Sequence, residues 1–366
     1  MARIMGKTVG DHVIELPTVK SIDYEKGLRI MEKEFGRFGC TAVAKVLDNG
    51  ETIVGRSMDL HYSHRPAFIL RSEIPGFYKN IGVMYNSLSG DYFDKVKEEG
   101  VSEEDYLTLF CGTCDVLNEK GFYVEYNMRE FQPQYTGIKE CSGTNPGAKY
   151  RVMYAGLARF LGERAASVKE AIALFDEIDV YGLKRGGLNW GSGIFMADAS
   201  GDYGLLELVD NKVVWSEKQP AQTNFYLHPD YRNKAVIGAG MGRYDLVMKE
   251  RDNVKSEKDM MDLMHKVKYT QFLDPDNAQF DPRGELSCRM GKVYLTMKDV
   301  MSDEFRDMAL DYLRKHGAEE RAKSVDQLRD ENTTWLSTIQ LVANCSRKTI
   351  HVTFFEDDSL TYDLTV

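Results

Sequence analysis

Two short stretches decide how this chain of 366 residues is interpreted: Gly39-Cys40-Thr41-Ala42-Val43 and Gly55-Arg56-Ser57-Met58-Asp59-Leu60. The sequence between them is an apolar–polar run that is broken by Asp48-Asn49-Gly50. Asn-Gly between two such runs predicts a β-hairpin with a type I′ turn, in which both central residues take positive φ. The second strand then returns beside the first and brings a guanidinium and a carboxylate back towards a thiol. We expect the active site at this end of the sheet.

The composition describes an ordinary globular protein and excludes several functions. Hydrophobic residues make up 43% and charged residues 28%, so the chain can form one large domain or two smaller ones. The net charge of -10 and the lack of a dense Lys/Arg cluster argue against a nucleic-acid partner. No segment has the length and apolarity of a signal peptide or a membrane span. Six scattered cysteines suit a reducing compartment, and we expect a cytoplasmic protein.

The order of secondary-structure patterns predicts an α+β fold. An amphipathic helix is expected over 23–35, two helices within 146–179 and further helices over 243–251, 257–267 and 302–316. The second helix within 146–179 has a capping box that begins at Ser167, and the first has an apolar stripe made of Tyr150, Val152, Met153, Leu157 and Phe160. Strands are expected over 67–70, 81–85, 121–126, 194–198, 203–209, 213–217, 222–226, 338–342, 350–355 and 360–364. Because the helices come in blocks, a parallel βαβ fold is disfavoured, and two packed antiparallel sheets with helices on both outer faces fit better.

Cys40 is the candidate nucleophile, but the sequence around it contains no evident general base. A cysteine attacks as thiolate and therefore needs a base or a positive neighbour. None of the seven histidines lies in a local Cys-His signature. If Cys40 were the first residue of the mature chain, its own α-amine, with a pKa of about 7.7–8.0, could serve as the base. That chemistry requires cleavage after Gly39. The alternative is that Cys40 is a small buried residue at the start of a strand.

The spacing around Cys40 resembles that of the choloylglycine hydrolase family. Arg56 follows Cys40 by sixteen residues and Asp59 follows it by nineteen, within Gly-Arg-Ser-Met-Asp-Leu. The family, also called linear amide C–N hydrolases, includes bile salt hydrolases and penicillin V acylases and belongs to the N-terminal nucleophile hydrolases. Further similar pieces follow in family order to the C-terminus: 117–121 with Tyr126-Asn127, Gln222-Thr223-Asn224, 238–244 and 361–364.

The resemblance implies a four-layer αββα sandwich and a role for each matching residue. Cys40 would be the nucleophile, and Asp59 would hold its freed amine. Arg56 would favour the thiolate by its opposite charge. Asn224 would donate hydrogen bonds to the tetrahedral oxyanion with help from Asn127, and losing such a donor costs about 10²–10³ in rate. Arg243 would support the site electrostatically, and no metal or cofactor is expected.

The resemblance also implies a domain division and an assembly. Bile salt hydrolases usually carry the nucleophile directly after the initiator Met, whereas 39 residues precede Cys40 here. We therefore expect a leader, residues 1–39, that is removed by self-cleavage, followed by one hydrolase domain, residues 40–366. The family suggests a homo-oligomer, either a tetramer or a dimer.

Several amides fit the chemistry expected at Cys40. We expect a small-molecule N-acyl amide with an apolar acyl group, with Met58 and Tyr62 lining the pocket. Bile salt conjugates and penicillin V are alternatives that need the same chemistry. An acyltransferase would use the same acyl-enzyme but pass the acyl group to an amine. A non-catalytic binding protein that keeps its leader predicts an unreactive Cys40.

Three other motifs are weaker. Cys111-Gly-Thr-Cys114 has no second pair at zinc spacing and no thioredoxin-like surroundings, which disfavours a redox or metal site. His61 and His64 would point to opposite faces of a strand. The glycine-rich stretch 238–242 lacks a dinucleotide fingerprint. None of the three competes with the Cys40 hairpin.

Overall fold

The structure, a computed structural model, describes eleven stretches of the chain. These are residues 8–9, 13–15, 18–20, 39–62, 67–85, 113–128, 142–182, 192–229, 241–267, 302–315 and 334–366. The helix predicted over 23–35 lies outside them, as do Cys111, His64 and the first part of the glycine-rich stretch.

The first sheet joins nine strands of these stretches in the order β1-β2-β5-β6-β7-β8-β11-β12-β13. Their bounds are β1 Thr8–Val9, β2 Val13–Glu15, β5 Ala67–Ser72, β6 Asn80–Tyr85, β7 Asp115–Asn118, β8 Tyr123–Met128, β11 Ser192–Ala197, β12 Tyr203–Val209 and β13 Lys212–Glu217. Neighbouring strands pair antiparallel, except that β2 pairs parallel with β5. We call this sheet the nine-stranded sheet.

The second sheet joins six described strands in the order β14-β3-β4-β15-β16-β17, and all of its pairs are antiparallel. The bounds are β3 Gly39–Val46, β4 Thr52–Tyr62, β14 Ala221–Gln222, β15 Thr334–Asn344, β16 Thr349–Phe354 and β17 Thr361–Thr365. We call it the six-stranded sheet. The predicted Cys40 hairpin, β3 with β4, lies inside this sheet, between β14 and β15.

Helices cover the outer faces of the two sheets. The described α-helices are α1 Leu157–Arg164, α2 Val168–Leu174, α3 Met241–Glu250, α4 Glu257–Lys266 and α5 Asp303–Lys315. Helix α1 packs on β7 and β8, while α4 packs on β4 and β15. The sheets meet through β3 with β8 and through β6 with β15. The predicted αββα layer order is therefore confirmed.

Two glycines allow helices α1 and α4 to pack closely against their sheets. Gly162 of α1 leaves room for the Val116 side chain, whose nearest atom would lie 2.4 Å from an added Cβ. Gly55 of β4 leaves room for Met260 of α4, whose sulfur would lie 2.6 Å from an added Cβ. A larger residue at position 162 would push α1 off its sheet, whereas at position 55 the flexible Met260 side chain would have to move.

The hairpin turn differs in type from the prediction. Val46 pairs with Thr52, and the Gly50 N–H donates to the Leu47 carbonyl at 2.9 Å. Gly50 has φ of 83°, whereas Asn49 is absent from the described non-glycine residues with positive φ. This is a type I turn closed by a left-handed glycine, so the predicted type I′ turn is wrong. The Asn49 side chain instead accepts from the Glu51 N–H at 3.0 Å, which favours the longer loop.

Other predictions along the chain were partly right. Tyr150–Met153 forms strand β9, which pairs parallel with β10 at Ile178–Tyr181, so the predicted helical stripe begins too early. Strand pairing outweighed the 3.6-residue periodicity there. The Ser167 cap of α2 is confirmed, because its side chain accepts from the Glu170 N–H. Strand β14 ends at Gln222, which leaves Thr223 and Asn224 just beyond the sheet edge.

Candidate active site

The β3–β4 pairing places the predicted residues on two faces of one hairpin. Cys40 lies opposite Met58, and Ala42 lies opposite Arg56, so these four side chains share one face. That face meets the nine-stranded sheet, because the Arg56 guanidinium reaches β7 and β8. Asp59 is an odd number of residues from Arg56, so its side chain lies on the opposite face. Arg56 and Asp59 therefore approach Cys40 from different sides.

Asn224 and Arg243 hold the backbone of Cys40. The Cys40 N–H donates to Asn224 Oδ1 at 2.8 Å, and Arg243 Nη1 donates to the Cys40 carbonyl oxygen at 2.7 Å. Arg243 Nη2 also donates to Asn224 Oδ1 at 2.9 Å, which closes the ring of contacts. Because Asn224 Oδ1 accepts two hydrogen bonds, the amide is oriented with Nδ2 on its other side. Both polar ends of one residue's backbone are thus fixed by side chains more than 180 positions away.

Asp59 forms a buried cluster with two serines and Arg243. Asp59 Oδ1 accepts from Ser57 Oγ at 2.8 Å and from Ser337 Oγ at 2.6 Å, while Oδ2 lies 3.3 Å from Arg243 Nη1. A β-bulge in β15 makes this possible: Ser337 pairs with Asp59 and Ile339 pairs with Met58, with one extra residue between them. The Asp59 carboxylate is therefore linked to the Cys40 backbone through the Arg243 guanidinium.

Arg56 is fully buried and faces two carboxyl groups. Its Nε lies 3.1 Å from Asp115 Oδ1 and 3.1 Å from Glu125 Oε2. Its Nη1 donates to the Ser57 carbonyl at 2.6 Å and its Nη2 to the Tyr126 carbonyl at 3.2 Å. The guanidinium also lowers the pKa of the Cys40 thiol. Arg56 thus links the two sheets beside the sulfur.

Burial dominates the ionisation of the Cys40 thiol. Only 2% of Cys40 is exposed, and removal from water raises the pKa of its thiol to about 12. Arg56 lowers that pKa, whereas Glu125 and Asp59 raise it. The expected effect of Arg56 therefore has the right sign, but it is outweighed. At neutral pH the thiol of the intact chain is protonated.

The two predicted asparagines lie on adjoining segments. Asn127 of β8 is buried, and its Nδ2 lies 3.4 Å from the Thr223 carbonyl, which directly precedes Asn224. The segment after β14 is held by Glu207 of β12, whose carboxylate accepts from the backbone N–H groups at 227 and 228, each at 2.8 Å. These contacts fix where Asn224 stands relative to the sheet.

The remaining predicted positions are less informative. Met58 is buried on the inner face opposite Cys40. Tyr62 is the last residue of β4, and its side chain lies outside the described part of the structure. Cys114 is a buried thiol whose Sγ lies 3.6 Å from the Tyr126 hydroxyl. Within the described stretches, no helix has the length and apolarity needed to cross a membrane.

Several polar residues of this site were not found from the sequence. They are Asp115, Tyr123, Glu125, Gln222, Ser57 and Ser337, all of them buried. One signal was available for Glu125: it is a charged residue in Tyr123–Met128, a strand that otherwise reads as buried. A charge in such a position needs a partner of opposite sign. The identity of that partner could not be derived from the sequence.

Comparison with known proteins gives structural likeness only. No family model matches the chain, and no curated protein matches it. A mutant of conjugated bile acid hydrolase from Clostridium perfringens matches with a TM-score of 0.47 and 11% identity, over 89% of this chain and 92% of that chain. Penicillin V acylase from Agrobacterium tumefaciens matches with a TM-score of 0.39 and 12% identity, over 86% of this chain and 83% of that one. The chain is thus similar in structure to these two proteins, while its αββα layer order rests on its own sheet and helix contacts.

Proposed function

We propose that this protein is an amidohydrolase of the N-terminal nucleophile type that cleaves a linear amide bond of an N-acyl amide. Cys40 is the nucleophile once residues 1–39 have been removed, and residues 40–366 form the hydrolase domain. The single observation that carries the proposal is the way Asn224 and Arg243 hold Cys40 by its backbone nitrogen and carbonyl. A cysteine that only filled space in a strand would not need two buried polar side chains on its main chain.

Acyl transfer to the enzyme begins with the thiol proton. In the cleaved protein the α-amine of Cys40 takes that proton, and the thiolate sulfur attacks the carbonyl carbon of the substrate amide. The Nδ2 groups of Asn224 and Asn127 donate to the resulting oxyanion. The C–N bond then breaks, the α-ammonium gives its proton to the leaving amine, and a thioester to Cys40 remains.

Hydrolysis of the thioester completes the cycle. The α-amine removes a proton from water, and the hydroxide oxygen attacks the thioester carbonyl. The C–S bond breaks, the acid is released and the sulfur recovers the proton. In this scheme Arg243 fixes Asn224 and the Cys40 backbone. Direct contact between Asp59 and the amine stays a prediction for the cleaved form, because the Cys40 N–H donates to Asn224 in the intact chain.

The substrate class follows from the sequence resemblance, and we propose an apolar acyl group. Met58 supports this choice, since it lies opposite Cys40 on the inner face. A dedicated bile salt hydrolase or penicillin V acylase is the alternative within the same chemistry. The cytoplasmic location and the homo-oligomer, a tetramer or a dimer, stay predictions.

A substrate panel with matched variants tests the proposal. Purified protein is incubated with fatty-acyl amides, bile salt conjugates and penicillin V, and released amine and acid are quantified. We expect turnover of at least one fatty-acyl amide by the wild type and none by Cys40→Ala. Addition of glycine or taurine separates hydrolysis from acyl transfer, because a transferase forms the new amide at the expense of free acid. A wild type that turns over none of the panel contradicts the proposal.

A further inference from the structure

Among the described residues, the inner face of the site carries more carboxyl groups than guanidinium groups. Arg56 is the guanidinium there, and it meets the carboxyl groups of Asp115 and Glu125 at the same distance of 3.1 Å from Nε. All three side chains are fully buried. A single guanidinium cannot neutralise two ionised carboxylates in a medium of low dielectric constant. Its positive charge is therefore largely compensated before it acts on the sulfur.

Glu125 differs from Asp115 in the sheet to which its carboxylate bonds besides Arg56. Glu125 Oε1 accepts a hydrogen bond from Gln222 Nε2, whereas Asp115 Oδ1 accepts from the Tyr123 hydroxyl at 2.6 Å within its own sheet. Gln222 lies on β14, two residues before Asn224, and pairs with Ala42 of β3. Glu125 therefore connects Arg56, which lies beside the thiol, to β14, the strand that leads to Asn224.

We propose that Glu125 is a positioning residue that ties β14 to Arg56 and offsets the positive charge of Arg56 at Cys40, so that the nucleophile rests as a neutral thiol. Arg56 then orients the sulfur without making a permanent thiolate. The reaction must take the proton from the thiol during attack, which the α-amine of the proposed mechanism provides. The inference thus rests on the proposed function, and it specifies the protonation state of Cys40 before the reaction.

The groups that face the thiol agree with this assignment. Burial raises the pKa of the thiol most, Arg56 lowers it, and Glu125 raises it more than Asp59 does. Arg243 stands at the carbonyl end of Cys40, and among the described residues Tyr126 and Cys114 also interact electrostatically with the thiol. Removing the charge of Glu125 leaves the contacts of Arg56 to Asp115 and to two backbone carbonyls in place. The thiol pKa should therefore fall.

The test measures the alkylation rate of Cys40 in purified protein, with wild type and variants compared in the same form, either all intact or all cleaved, and it needs no substrate. Glu125→Gln keeps the shape of the side chain and removes its charge. Below the thiol pKa, each unit by which that pKa falls raises the thiolate fraction about tenfold. We expect iodoacetamide to label Cys40 at least about fivefold faster in Glu125→Gln than in wild type at about pH 8, read by peptide mass. Cys345 is the internal control, because it is a buried free thiol whose pKa does not depend on Arg56 or Glu125.

The swapped variant Glu125→Gln with Gln222→Glu separates charge from architecture. It keeps a Glu–Gln hydrogen bond between β8 and β14 but moves the carboxylate off Arg56. We expect its Tm to recover towards the wild-type value while Cys40 stays fast to label. This variant also decides the case in which Glu125→Gln folds poorly or labels all three cysteines.

Two results would overturn the inference. One is an unchanged or slower Cys40 labelling rate in Glu125→Gln. The other is a swapped variant that regains both the wild-type Tm and the slow labelling, because Glu125 would then only hold the strands together. Failure of the substrate panel would remove the proposed function without affecting either labelling result.

Discussion

Arg243 donates to the carbonyl oxygen of Cys40 at 2.7 Å, although 203 positions separate the two residues in the chain. The same guanidinium donates to Asn224, which in turn accepts from the Cys40 N–H. A planar guanidinium with several donors suits this double contact, and a lysine ammonium does not reproduce it. The start of β3 is thereby fixed to helix α3.

Arg243→Lys should reduce hydrolysis with little loss of fold. The variant keeps the charge beside Asp59 but cannot bond Cys40 and Asn224 together, so Asn224 loses its orientation as a donor. We expect kcat to fall by about 10²-fold, the size found for loss of an oxyanion donor, with KM nearly unchanged. Steady-state kinetics on the best substrate of the panel checks this.

Arg251→Lys is the matched control for Arg243→Lys. Arg251 Nε also donates to a carbonyl of β3, that of Ala44 at 2.8 Å, but away from the site. Its replacement should leave kcat within about twofold, because it does not touch the reacting groups. Equal losses in both variants would mean that the effect is a general loosening of β3.

Self-removal of residues 1–39 should depend on Cys40. Intact-mass measurement and N-terminal sequencing should show a wild-type chain that begins at Cys40, whereas Cys40→Ala should keep the full chain. Cys114→Ala is the control and should be processed like the wild type, since Cys114 lies outside the hairpin and its Sγ lies 3.6 Å from the Tyr126 hydroxyl. If wild type and Cys40→Ala both keep the leader, the α-amine cannot be the base and the proposed mechanism fails.

Asp59→Asn should destabilise the protein more than loss of its serine partner does. The substitution leaves the buried guanidinium of Arg243 without its ion-pair partner in the Asp59 cluster. Breaking a buried pair from one side costs about 3–5 kcal/mol. Denaturant unfolding at constant m-value gives the free energy of unfolding.

Ser337→Ala gives the comparison for Asp59→Asn. It removes one donor to Asp59 and leaves the charge pair intact, so we expect a loss of about 2 kcal/mol, the range of hydrogen bonds to charged groups. The order of the two losses is the test. A larger loss in Ser337→Ala would show that the serine, rather than the charge, organises the cluster.

Three buried thiols in the described part of the chain should make the protein less stable in alkali. Burial raises the pKa of Cys40, Cys114 and Cys345 above the ordinary value of 9.0. Above about pH 9 the unfolded state has lost these protons while the folded state keeps them, so stability falls as pH rises. Each thiol contributes about 1.4 kcal/mol per pH unit in that window.

Cys345→Ala isolates one of these contributions. Cys345 is fully buried at the end of β15, away from the site. The free energy of unfolding, measured between about pH 8 and about pH 11, should fall less steeply in this variant than in wild type. Parallel curves would mean that the thiol ionises in the folded state as readily as in the unfolded state.

The sequence by itself determined the local part of this protein. The Asp48-Asn49-Gly50 signal and the alternating run around it gave the hairpin, and the spacing from Cys40 to Arg56 and Asp59 placed three candidate residues at its end. Strand and turn preferences act over a few residues, so they can be read without the rest of the chain. The turn type was missed because the Asn49 side chain favoured a longer loop.

Only the tertiary structure decided what surrounds those three residues. Arg56 and Asp59 lie on opposite faces of β4, where Glu125 and Ser337 meet them from distant strands. Those meetings depend on a bulge in β15 and on how the two sheets stack, which no local preference encodes. Burial depends on the whole fold, and it raises the pKa of the Cys40 thiol more than the nearby charge of Arg56 lowers it.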